Sequence, residues 1–123
     1  MTGPKGRRPK KKTNYMAQAD VLFSKWIRLR DACCLRCGST DRLQCAHIIS
    51  RSYKSVRVDS RNAVALCQRC HVYFTHRPLE WDRWVGVHFP GRLRVLREEA
   101  LGYGRVDWKG QVADLKARVE EWS

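Results

Sequence analysis

The apolar positions along the chain form five stretches at helical spacing and one short strand-like stretch. Between residues 17 and 30, Val21, Leu22, Trp26 and Leu29, with Phe23 and Ile27 alongside, recur on one helix face and predict an amphipathic helix. Residues 43–49 are short and apolar and run into the polar stretch 50–55, as a strand entering a hairpin loop would. Val56 and Val58 then alternate with Arg57 and Asp59, and residues 62–66 read as a return strand or tight turn. Residues 68–75 contain neither Gly nor Pro and predict a helix. Pro78 suits the first position of the next one, over 79–88, with Trp81, Trp84 and Val85 on one side. Pro90-Gly91 separates it from a helix over 93–101, which Gly102-Tyr103-Gly104 ends. The last helix, 111–122, presents Val112, Leu115, Val119 and Trp122 at i, i+3, i+7 and i+10. This order, a helix, a hairpin and then several helices, predicts a mostly helical α+β fold.

With 123 residues and 43% apolar content, the chain has the size of one domain with a modest core. The expected organisation is a tail over 1–13 and a single domain over 14–123. The domain divides into an N-terminal helix (14–33), a middle segment (34–77) and accessory helices (78–123). No apolar run approaches the ~20 residues of a membrane span, and the charged N-terminus lacks the apolar region of a signal peptide. The expected location is therefore cytoplasmic, without a membrane partner.

Charge sharpens this picture. The 25 Lys and Arg against 12 Asp and Glu leave a net +13, which points to a polyanion, with nucleic acid first. Residues 1–13 carry six cations and no acid and are expected to be disordered. Residues 21–77 carry eleven cations against Asp31, Asp41 and Asp59, whereas 78–123 balance eight against eight. A polyanion would therefore meet the tail and the middle.

The same middle segment holds the cysteine pattern. Cys34-x2-Cys37 and Cys67-x2-Cys70 are two pairs separated by twenty-nine residues. Each pair can set two thiolates about 3.5 to 4 Å apart on a tetrahedral zinc ion with Zn–S bonds of ~2.3 Å. Gly38 supplies the conformational freedom such a knuckle needs. The expectation is a structural zinc on Cys34, Cys37, Cys67 and Cys70 rather than a disulfide framework. Cys33 competes with Cys34 for the first place, and the x2 spacing favours Cys34; Cys45 reads as a small buried hydrophobe.

Between the knuckles lie His47, Asn62 and His71. The string Cys-x2-Cys-Gly, then Leu-Gln-Cys-Ala-His-Ile-Ile-Ser-Arg, then Asn-Ala-Val-Ala-Leu-Cys-x2-Cys-His resembles the HNH (His-Asn-His) endonuclease family over residues 34–78, and is most similar to small HNH proteins of bacteriophages. The resemblance implies a ββα-metal core in which a hairpin and a helix hold one divalent cation against a scissile phosphate. It places His47 at the general-base position, Asn62 at the position that braces the hairpin and His71 at a metal-ligand position, with 5′-phosphate and 3′-hydroxyl products. It further implies DNA as partner, phage packaging or recombination proteins as others, and the host cytoplasm as location. No pattern specifies an oligomeric state.

Two departures stand out. Many family members carry Asp or His just before the base, where this chain has Ala46; a further ligand often lies one turn beyond the last histidine, where this chain has Thr75, followed by His76. The catalytic cation, Mg²⁺, Mn²⁺ or Ni²⁺, would then be held by His71 with Thr75 or His76, loosely and with a preference for the later metals. Arg51, Lys54, Arg57 and Arg61 are expected to contact DNA phosphates. A rival reading keeps the same scaffold as a catalytically weak or inactive zinc-dependent DNA-binding or packaging adaptor.

Overall fold

The computed structural model describes residues 14–102 and 104–123; the expected tail over 1–13, and Tyr103, lie outside the described residues. The chain runs through α1 (Tyr15–Asp31), β1 (Leu43–His47), two 3-10 turns (Lys54–Val56 and Ser60–Asn62), β2 (Ala63–Cys67), α2 (Gln68–Thr75), α3 (Pro78–His88), α4 (Arg92–Ala100) and α5 (Trp108–Trp122). The fold is α+β, mostly helical, around one two-stranded antiparallel sheet. Among the described residues, no helix is long and apolar enough to cross a membrane.

Capping explains where two helices outrun the apolar pattern. The Asn14 side chain accepts the Ala17 N–H at 2.9 Å, so α1 begins at Tyr15, ahead of its first apolar stripe. Likewise Asp107 accepts the Gly110 N–H at 3.0 Å, and α5 begins at Trp108 rather than Gln111. A Cβ at position 110 would collide with that carboxylate, which is why glycine suits the first turn. Ala19, Phe23, Trp26 and Ile27 of α1 pack against Val112, Leu115 and Val119 of α5. Each large side chain so buried contributes roughly 1.5–3 kcal/mol. Trp122, expected on the same stripe, is 51% exposed, because it sits in the last turn of α5 beyond the packed stretch.

The strands pair Leu43 with Cys67, Cys45 with Ala65 and His47 with Ala63. β1 ends at His47 rather than running to Ile49, and residues 50–62 form turns rather than a longer hairpin. Because side chains alternate along a strand, β2 feeds two cores. Ala63 and Ala65 join the α1–α5 cluster, and Val64 and Leu66 join Phe74 and the knuckle cysteines, with Trp81, Trp84 and Phe89 packed alongside. The outer edge of β2 is closed locally. Asp31 accepts the Ala65 N–H at 2.8 Å, Arg30 donates to the carbonyls of Ser60 and Ala63 at 2.7 and 2.9 Å, and Leu35 N–H donates to Ala65 at 3.0 Å. The end of α1 and the first knuckle thus fix the strand that leads into α2.

Candidate active site and metal centre

The two knuckles meet. Gly38 turns the first at φ +81°, with its N–H donating to Cys34 O at 2.8 Å, while Cys67 ends β2 and Cys70 lies on the first turn of α2. The Sγ atoms of Cys34, Cys37, Cys67 and Cys70 all lie within 4.8 Å of one another, with Cys37 and Cys67 3.6 Å apart. This is a donor set placed to hold a metal ion such as zinc. Burial opposes ionisation of Cys34, but hydrogen bonds from backbone groups of Cys67, Cys37 and Arg36 outweigh it and bring that thiol down to about 6. Arg36 Nη1–H adds a donor to Cys70 Sγ at 3.5 Å. Cys33 and Cys45 stay outside the group. Cys45 is half-buried against the α1 side of β1, where desolvation pushes its thiol up to about 12. Burial thus favours its protonated form.

The second constellation is built on two histidines with complementary tautomers. His47, at the end of β1, donates Nε2–H to the Arg57 carbonyl at 2.9 Å, which leaves Nδ1 as the basic nitrogen. Its ring packs on Phe23 with centroids 5.6 Å apart. Burial lowers its pKa below that of a free imidazole, against a smaller opposing effect of the Arg57 carbonyl. His71, on the first turn of α2, donates Nδ1–H to Gln44 Oε1 at 2.6 Å, which leaves Nε2 free to accept a cation. Burial lowers its pKa as well. Both rings line two cavities. One, of about 300 Å³, also touches Ala46, Leu66, Phe74, Thr75 and Trp81; the other, of about 400 Å³, touches Asp20, Ser24, Cys45 and Arg51.

Asn62 is completely buried, and both ends of its amide are used. Oδ1 accepts the Ile49 N–H at 2.7 Å, and Nδ2 donates to the carbonyls of Ile49 and Val56 at 3.0 and 2.9 Å. One side chain therefore closes the loop between β1 and β2, including the residue preceding Arg57. A buried polar group left unpaired costs about 1–3 kcal/mol, so this amide is not interchangeable with an apolar residue.

Residues 34–77 match the family model of HNH endonucleases. No curated protein and no solved structure matches the chain significantly. The HNH segment spans both knuckles, the hairpin and α2, so His47, Asn62 and His71 all fall inside it, and α1 and α3 to α5 fall outside. Of the further ligand positions, Thr75 lines the cleft with the two histidines and donates Oγ1–H to the His71 carbonyl at 2.7 Å, which leaves its oxygen lone pairs available. His76 caps the end of α2, exposed, and does not line that cavity. Among the described residues, no second group of three His, Cys, Asp or Glu side chains gathers like the cysteines.

The structure separates the four cations of the HNH loop. Arg51 is 58% exposed at the cleft and Lys54 is exposed. Arg57 instead holds Asp20 through two bonds, and Arg61 holds Asp59 through two and reaches Glu99 on α4. Two residues that the motif reading passed over belong to the site: Gln44, which sets the His71 tautomer, and Asp20. The latter had one signal, as the first carboxylate in a chain whose N-terminal half is crowded with Lys and Arg.

Proposed function

We propose that this protein is a DNA endonuclease that hydrolyses phosphodiester bonds at the His47–His71 cleft. The supporting observation is the pair of opposed tautomers within the HNH segment, one imidazole presenting a base and the other a ligand nitrogen to the same cavity. His47 Nδ1 takes a proton from water, and the water oxygen bonds to phosphorus as the bond to the 3′-oxygen breaks. That gives a 5′-phosphate and, once the departing oxygen is protonated, a 3′-hydroxyl. His71 Nε2, beside the Thr75 hydroxyl, would hold a divalent cation, Mg²⁺, Mn²⁺ or Ni²⁺, which would supply charge neutralisation at the phosphate. Gln44 keeps Nε2 free for it, Asn62 holds the loop that orients His47, and Arg51 and Lys54 meet neighbouring phosphates. Zinc on the four cysteines is structural.

A second reading has its own observation. Ala46 and Thr75 stand where stronger ligands are common in the family, and the cleft lacks a three-ligand group among the described residues. This favours a zinc-dependent DNA-binding adaptor. Supercoiled plasmid with each cation separates the two. The nuclease relaxes it, stops in EDTA over the time in which structural zinc is retained, and works better on Mn²⁺ or Ni²⁺ than on Mg²⁺. His71→Ala is expected to raise the cation concentration for half-maximal nicking at least ~10-fold, in line with the loss of one ligand. Inertness with every cation establishes the adaptor.

A further inference from the structure

We propose that Asp20 on α1, outside the HNH segment, is a positioning residue for the general base, acting through Arg57. The inference rests on the nuclease reading for its catalytic consequence but not for its structural one. The hydrogen bond of the His47 ring goes to one backbone carbonyl, that of Arg57, in a stretch that belongs to no strand. Asn62 fixes Val56, one residue earlier, and the Arg57 N–H donates to the Lys54 carbonyl at 3.3 Å. The Arg57 side chain adds a further hold. Its Nε and Nη2 donate to the two oxygens of Asp20 at 2.8 and 2.6 Å, and its Nη1 donates to the Arg51 carbonyl at 3.1 Å.

This pair differs from an ordinary surface ion pair. Asp20 and Arg57 are only 18% and 15% exposed, and the contact is bidentate, the geometry in which a guanidinium and a carboxylate hold each other most rigidly. One turn further along α1, Phe23 packs on the His47 ring. α1 therefore grips the base twice, through its ring and through the residue whose carbonyl accepts its hydrogen bond. Both carboxylate oxygens accept from Arg57, so Asp20 reaches the hydrogen bond that orients His47 through Arg57. The same carboxylate lies 3.9 Å from Arg51, whose guanidinium remains exposed at the cleft. One acid thus anchors one arginine while leaving the other at the mouth of the site.

The test uses the full chain with Asp20→Asn, Arg57→Asp and the exchanged pair Asp20→Arg with Arg57→Asp. Nitrogen-15 NMR reads the His47 tautomer, and single-turnover nicking at saturating DNA is measured separately from DNA affinity. Asp20→Asn is expected to mix the Nδ1–H and Nε2–H tautomers and to slow nicking about 10- to 100-fold, as loss of base alignment does, with DNA affinity within about threefold of wild type. The exchanged pair is expected to restore the Nε2–H tautomer and most of the rate. A folded, zinc-replete Asp20→Asn protein with the wild-type tautomer and rate overturns the proposal. If the single variants fail to fold, an exchanged pair that folds yet keeps a mixed tautomer overturns it equally. A wild type that never nicks, together with a tautomer that depends on Asp20, sinks the nuclease reading and leaves the positioning role standing.

Discussion

His47→Ala is expected to lower plasmid nicking by roughly 10²- to 10⁴-fold, the range a positioned general base supplies, without loss of bound zinc or of DNA affinity. The size follows from how completely the ring is committed. One nitrogen is held by the Arg57 carbonyl and one ring face by Phe23, so Nδ1 is the group left to receive a proton. The variant removes that acceptor while the knuckles and Arg51, which lie on other elements, remain. Acidity adds an independent check. A general base at His47 would work only when neutral, and burial lowers the His47 pKa, so its population stays neutral to lower pH than a free imidazole near 6.5. The acid limb of the rate profile should therefore fall below that value and vanish in His47→Ala. A variant that nicks as fast as wild type, or an acid limb well above 6.5, places the base elsewhere.

The parts of this molecule that depend on neighbours in sequence were legible from sequence. The x2 spacing of Cys34–Cys37 and Cys67–Cys70 anticipates the thiol cluster, and α2 runs over the residues its Gly- and Pro-free stretch indicates. Pro78 opens α3, and β2 falls on the apolar run before the second knuckle. Caps were harder, because Asn14 and Asp107 extend helices into stretches with no apolar period. Hardest were pairings across long separations. An arginine has the same letter whether it faces solvent or a carboxylate thirty-seven positions away, so Arg57 reads as a DNA contact in sequence and lies against Asp20 in space. Gln44 shows the same limit. On a strand it is one polar residue among several, and only the placement of α2 brings its amide to His71.

Metal removal is expected to have the largest effect on stability. Zinc sites in small domains contribute about 10–16 kcal/mol of apparent binding free energy, whereas a whole domain is stable by about 5–15 kcal/mol. Losing such an ion would therefore remove an amount comparable to the stability of a whole domain. Its sheet has two strands of five residues each, too little to stand alone in water. The knuckles also bind the segment end to end. Cys67 is at once the last residue of β2 and the residue before the first turn of α2, and Cys34 and Cys70 lie within the core that holds Leu66 and Phe74. Cys67→Ser, or prolonged chelation, should therefore unfold the hairpin and α2 and scatter His47 and His71. The α1–α5 packing has apolar cover of its own, which retains part of the helical signal. Circular dichroism should show partial loss of helicity, and fluorescence should report Trp81 and Trp84, packed at the knuckle core, before Trp26. Returning zinc to the chelated wild type, but not to Cys67→Ser, should reverse both signals and restore nicking. A metal-stripped protein that melts within a few degrees of the loaded form would mean that packing alone holds the knuckles, and that the four thiols are not ligands.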